Sequence, residues 1–116
     1  MPSDRKLDYL ELYAPDFGAM KRFYGVAFGW SFVDYGNDYV GFAEAGLDGG
    51  VQNATPAAPL PILYAEDLER AAAAVEQAGG SVIRPIYAFP GGRRFHFRDP
   101  GGNELAVWSD RAAKTA

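Results

Sequence analysis

The chain of 116 residues has no cysteine, a single histidine, His96, and no apolar run long enough for a membrane span. Without cysteine there is no disulfide framework, no thiolate metal site and no cysteine nucleophile, and the redox compartment stays open. One histidine excludes a two-histidine, one-carboxylate iron site within a single chain. The stretch Met1 to Lys6 is charged and lacks an apolar h-region, so we expect a soluble, cytoplasmic protein with no membrane partner. A formal net charge of −4 argues against a nucleic-acid binder driven by phosphate contacts. The basic cluster Arg93, Arg94, Arg98 is short enough to serve one small anion instead.

Aromatic residues are plentiful. Seven Tyr, eight Phe and two Trp can fill a core and also line a pocket. The chain is organised around a repeat: Leu12, Tyr13, Ala14, Pro15, Asp16, Phe17 is written again as Leu63, Tyr64, Ala65, Glu66, Asp67, Leu68. The same offset pairs Ala27 with Ala78 and Gly29 with Gly80. Two half-domains of about fifty residues are each marginal alone and must close on one another. We expect a single domain over residues 1–116, with module one at about 7–54, an Ala- and Pro-rich linker at about 54–59 and module two at about 60–109.

Within each module the periodicity reads strand, helix, strand, strand, strand. Residues 7–14 alternate, with Leu10, Leu12 and Ala14 facing a helix and Tyr9, Glu11 and Tyr13 on the other side. Asp16 caps a helix carrying Phe17, Met20, Phe23, Tyr24, Ala27 and Phe28 at helical spacing, and Gly29 ends it. Trp30–Tyr35 and Tyr39–Ala45 form a hairpin, 46–50 a loop, and 51–53 a short strand. In the second module a strand over 60–65 leads to Asp67, which caps a helix with a buried stripe of Leu68, Ala71, Ala72, Val75 and Ala78. Strands over 81–87, 93–98 and 103–109 come next, the first bent by Pro85, and residues 110–116 are expected to be loose or a partly docked turn.

The doubled βαβββ order resembles the vicinal oxygen chelate superfamily, which contains glyoxalase I, bleomycin resistance proteins, fosfomycin resistance proteins and extradiol dioxygenases. The resemblance is carried by an aspartate opening each helix, Phe23 and Tyr24 before Gly29 and Trp30, and the closing Asp99, Pro100, Gly101, Gly102, Asn103. It implies an α+β fold of two tandem βαβββ modules, each a curved mixed sheet closing around a central cavity with its helix outside. Pairing as a homodimer is also implied, with Trp30, Phe32 and Phe89 as candidate contacts.

Metal-dependent members of that superfamily carry ligands on the strands facing the cavity. The corresponding positions here are Tyr9, Leu60, Ala106 and one near Gln52 or Ala54. Tyr, Leu and Ala cannot together hold a divalent ion, so no metal and no cofactor is expected. A relocated site of His96, Glu11 and Glu104 is the alternative. Strand parity places Tyr9, Glu11, Arg94, His96, Glu104 and Trp108 toward the cavity as ligand-binding residues, with Tyr39 or Phe42 beside them. His96 stands three residues before Asp99, where the fosfomycin resistance proteins that this sequence resembles carry an aromatic substrate contact.

The bland readings are a packed His96 bonded to a glutamate, core aromatics at Tyr9 and Trp108, structural ion pairs at Arg93 and Arg98, and caps at Asp16 and Asp67. The first functional reading is a metal-free binder of a small planar or aromatic molecule, with or without an anionic group. The second is a metal-independent lyase or isomerase, similar to lactoylglutathione lyase in moving a proton next to a carbonyl, with His96 as base and Tyr9 as donor. The third is a dimerisation module without a ligand.

Overall fold

The computed structural model describes residues 2–113. The order βαβββ occurs twice: β1 (Lys6–Tyr13), α1 (Phe17–Phe28), β2 (Ser31–Asp34), β3 (Tyr39–Ala43), β4 (Asp48–Gln52), then β5 (Leu60–Tyr64), α2 (Leu68–Gln77), β6 (Ser81–Phe89), β7 (Gly92–Arg98), β8 (Glu104–Ser109). This is an α+β protein built of two βαβββ modules. The chain divides into two compact units, Tyr9–Leu60 and Met1–Asp8 together with Pro61–Ala116. The residues before Tyr9 go with the later unit because the Arg5 amide donates to the Tyr64 carbonyl and the Trp108 indole to Asp8.

In the unit Tyr9–Leu60 the strands lie in the order β2, β3, β4, β1, with β1 parallel to β4 and the other pairs antiparallel. Val40, Phe42 and Val51 are buried at its centre, and Leu10, Leu12, Ala14, Phe17, Met20 and Trp30 pack on them. Asp16 accepts a hydrogen bond from the Ala19 amide at 3.0 Å, satisfying a donor that the first turn of α1 leaves open. Gly29, at φ 75°, ends the helix in the left-handed region. Phe23 and Phe28 share the helical spacing of the core residues but are largely exposed, and no residue of α1 is fully buried. Trp30, stacked on Tyr24 and against Phe42, supplies the aromatic contact to the sheet.

Residues 48–50 belong to β4 and not to a loop. The Phe42 ring lies over Gly49, where a Cβ would stand 2.2 Å from it, and the Tyr39 ring lies over Gly50. Glycine is required here by close approach of neighbouring rings, which weak strand propensity concealed. Phe42, a candidate cavity residue, is a core residue of this unit. Trp30 and Phe32 also pack on that core, whereas the large exposed apolar side chains include Phe23, Val26 and Phe28.

In the later unit the order is β5, β8, β7, β6, with β5 parallel to β8 and the rest antiparallel. Phe95, Leu68, Val107 and Ala65 form its buried centre, with Ala71, Ala72 and Val75 of α2 against them. Ala78 does not join this stripe; it is the exposed C-cap, with Gly79 at φ 100° immediately after it. Asp67 caps α2 through the Arg70 amide. Strand β6 runs to Phe89, two residues beyond the expected end, because Tyr87, Ala88 and Phe89 pair with Arg94, Arg93 and Gly92.

Residues 110 and 111 are tied down: Asp110 accepts from the Tyr64 hydroxyl, the Arg111 amide donates to Ser109, and the Arg111 carbonyl accepts from Arg93. The remainder of the expected loose tail, from 114 onward, lies outside the described residues. Among the described residues no helix is long and apolar enough to cross a membrane.

Candidate functional site

Strand β7 alternates strictly. Phe95 and Phe97 turn toward α2, so Arg94, His96 and Arg98 occupy the opposite face. Across the ladder His96 opposes Ala106 on β8, and Arg94 opposes Trp108. On the other flank His96 opposes Arg84 and Arg94 opposes Tyr87. Arg84 and Tyr87 are three positions apart, yet their partners are only two apart. The ladder shifts register twice, between Val82 and Arg84 and between Arg84 and Tyr87, and these irregularities leave Arg84 and Tyr87 on the same face.

These residues form one polar cluster. His96 is 6% exposed and both ring nitrogens are engaged. Nδ1 lies 2.9 Å from a Glu104 carboxylate oxygen, and Nε2 lies 2.9 Å from the Tyr87 hydroxyl. The Arg94 Nε–H donates to that same hydroxyl. The Arg84 guanidinium stands 3.8 Å from the Tyr87 ring centroid and that of Arg94 5.6 Å from it, within cation–π range. Burial pushes the imidazole below its ordinary pKa; the Glu104 carboxylate opposes this, while the charges of Arg94 and Arg84 push it further down.

Because a carboxylate only accepts, Glu104 fixes a proton on Nδ1, and the neutral ring then offers the Nε2 lone pair to the tyrosine hydroxyl. The arrangement is a carboxylate, an imidazole and a phenol in series, with two guanidinium groups beside the phenol. Chemically it can bind an anion through the guanidinium groups and pass a proton along the series.

Trp108 is held apart from this series. Its indole donates to Asp8 at 2.9 Å and its ring meets Tyr64 edge-on. Arg93 pairs with Glu69, and Arg98 donates to the Gly102 carbonyl, so both serve the structure. Asp99 accepts from the amide and side chain of Asn103, which closes the turn into β8 and holds its own carboxyl below the usual range.

Tyr9 and Glu11 belong to the unit Tyr9–Leu60. There the Tyr9 hydroxyl shares a short hydrogen bond with that of Tyr39, and Glu11, almost fully buried, accepts from Tyr13. Burial raises the Tyr9 pKa, so its hydroxyl keeps its proton through the neutral range. The structure therefore brings Arg94, His96 and Glu104 into one hydrogen-bonded cluster, adds Arg84 and Tyr87, which sequence reasoning missed, and gives Trp108 a different partner. Alternation from Val82 and Ile86, which pack on the helix side, already points Tyr87 to the site face; it is Arg84 that the register shift after Val82 turns there.

The residues at the positions of the superfamily's metal ligands do not fit an ion. Leu60 and Ala106 are buried and offer no donor, and Tyr9 is a phenol that keeps its proton. Among the described residues no group of three or more His, Asp or Glu side chains is placed to hold a metal.

A tandem βαβββ protein whose later unit presents a polar cluster on the face of its strands away from its helix defines the structural class. The family follows from sequence: residues 6–107 match the model of the Glyoxalase/Bleomycin resistance protein/Dioxygenase superfamily, and the chain belongs to it. No curated protein matches the chain. Among solved structures it is similar to the Mn(II)-bound glyoxalase from Novosphingobium aromaticivorans, at 26% identity with a TM-score of 0.66, over 100% of this chain and 43% of that one. This chain thus spans less than half the length of that glyoxalase. It is also similar to the NAD-dependent benzaldehyde dehydrogenase from Legionella pneumophila, with 14% identity, TM-score 0.69, and 87% and 96% of the two chains covered. For the methylmalonyl-CoA epimerase from Mycobacterium tuberculosis the figures are 12%, 0.68, and 97% and 93%.

Proposed function

We propose that this protein binds a small planar or aromatic molecule bearing an anionic group, without a metal ion. The observation that supports this reading is the pair of guanidinium groups, Arg84 and Arg94, at 3.8 and 5.6 Å from the ring of Tyr87 and beside the buried His96. Two cations beside one phenol attract a carboxylate or phosphate, and the planar guanidinium of Arg84, lying over the Tyr87 ring, offers a flat surface to the rest of the ligand. The Novosphingobium protein is described as Mn(II)-bound, but the manganese does not carry over to a chain with Leu60 and Ala106 at ligand positions.

The reading is tested by thermal melts with benzoate, salicylate and phenyl phosphate, using benzyl alcohol as the neutral control. An anion at a hundred times its dissociation constant stabilises the native state by about 2.7 kcal/mol, an increase of about 10 °C for a chain of this size. The expected result is a shift with an aromatic anion that Arg84→Gln diminishes and that benzyl alcohol does not give. No shift with any of the three anions would overturn it.

A second reading, proton transfer next to a carbonyl, is favoured by one observation: His96 is held between Glu104 and Tyr87, each at 2.9 Å. We also take the protein to pair as a homodimer, which sedimentation equilibrium measures directly.

A further inference from the structure

We propose that Tyr87, and not His96, is the residue that exchanges a proton with the ligand, with His96 and Glu104 acting through it. The proposal rests on the anion-binding reading together with the second reading, proton transfer next to a carbonyl, and names the residue that touches the ligand. His96 is nearly inaccessible, and contact with a ligand would require it to give up Tyr87 or Glu104. Tyr87 is only partly buried. Its hydroxyl has one proton and two lone pairs. The proton goes to His96 Nε2 and one lone pair receives the Arg94 Nε–H, which leaves one acceptor site without a partner among the described residues.

Atoms and charge balance in the transfer. A C–H bond next to the ligand's carbonyl breaks, its electron pair stays on the ligand, and the proton goes to the free lone pair of the Tyr87 oxygen. The original hydroxyl proton of Tyr87 moves to His96 Nε2. Tyr87 ends as a neutral phenol, His96 as an imidazolium with its Nδ1–H still on Glu104, and the ligand as an enolate facing Arg84 and Arg94. Return of the proton by the reverse route regenerates the resting state. Burial keeps the imidazole neutral in that resting state, so it is ready to accept. A ligand anion offsets the two guanidinium charges that oppose protonation of the ring, so binding itself makes the transfer easier.

Phenylpyruvate is a suitable probe, being aromatic, anionic and acidic next to its carbonyl. Proton NMR in D2O tracks loss of its methylene signal, and thermal melts report its binding. The expected result is protein-dependent exchange that falls at least about a hundredfold in Tyr87→Phe while the melting shift with phenylpyruvate survives. Glu104→Gln is expected to move the acid limb of the exchange profile to lower pH, since Glu104 is what raises the imidazole's affinity for a proton. A purely structural role for Glu104 would leave that limb in place.

Exchange at the wild-type rate in Tyr87→Phe would overturn the proposal. So would a melting shift with phenylpyruvate and no exchange, while the binding reading stood. Absence of both for phenylpyruvate, benzoate, salicylate and phenyl phosphate would overturn the binding reading and this proposal together.

Discussion

Acidification should destabilise this protein through His96, and the sign and ceiling of the effect come from its surroundings. Burial, with help from Arg94 and Arg84, holds the native imidazole below its ordinary value, and Glu104 only partly offsets this. The unfolded chain returns the ring to a value near 6.5. Between the two values the unfolded state binds more protons, so stability rises with pH across that interval. The contribution is fully present above about pH 6.5 to 7 and is lost as pH falls through the native-state value. One such group changes stability by at most about 1.4 kcal/mol per pH unit. At the unfolding entropy of an ordinary domain of this length, that is about 6 °C in Tm per pH unit. Surface carboxylates add acid sensitivity of their own, so the informative quantity is the difference between the wild type and His96→Gln. The amide can donate toward Glu104 and accept from Tyr87 but does not titrate. Urea titrations from pH 8 to pH 5 should give a flat difference at the alkaline end and a wild type that loses ground steadily on the acid side. A difference that stays flat throughout, or one in which the wild type gains as pH falls, would refute the assignment of His96 as a neutral, buried base.

Leu68→Ala removes a fully buried side chain under α2 and should cost about 2 to 5 kcal/mol, seen as a lower urea midpoint. Gly49→Ala would set a Cβ 2.2 Å from the Phe42 ring and 2.3 Å from the Leu10 carbonyl oxygen; because the latter is backbone, a loss of about 1 to 3 kcal/mol or more is expected by the same measurement. Asp67→Ala leaves the Arg70 amide without its cap and should cost about 1 kcal/mol. Arg93→Ala breaks a partly exposed pair with Glu69 and should cost no more than about 1 kcal/mol, less at high salt.

Most of the fold was legible because each signal was local. The caps Asp16 and Asp67, the glycine after each helix and the alternation in β1 and β7 act through residues close together in sequence, and the repeat writes the same local signals a second time. Where the structure departs from the sequence reading, the deciding contact is distant in the chain. Gly49 and Gly50 read as a loop because nothing local shows the rings of Phe42 and Tyr39 lying on them. Phe23 and Phe28 share a period with Phe17 and Met20, but the period fixes a face and not what covers it. In the site, parity points to Arg94, His96 and Glu104, and alternation from Val82 reaches Tyr87 as well, whereas Arg84 comes to that face only through the register shift after Val82, which nothing local announces. Trp108 was read as a ligand contact because its partner Asp8 lies a hundred residues away in sequence.

The side chains at the superfamily's ligand positions and the polar cluster are two aspects of one arrangement in the later unit. The position where the superfamily's closing carboxylate falls is Ala106, fully buried, and its cross-strand neighbour is His96. Directly opposed residues hold their Cβ atoms about 5 Å apart, so a glutamate at 106 would bring a second carboxylate against the imidazole from the same face. With a methyl group there, the ring has one carboxylate, Glu104, and that carboxylate engages Nδ1 alone. Nε2 is then directed across β7 to β6, where Tyr87 stands on the same face. An ion would have drawn its donors inward along β8. Here the hydrogen bonds run sideways from Glu104 on β8 through His96 on β7 to Tyr87 on β6, and the series ends on a phenol at the edge strand, flanked by two arginines.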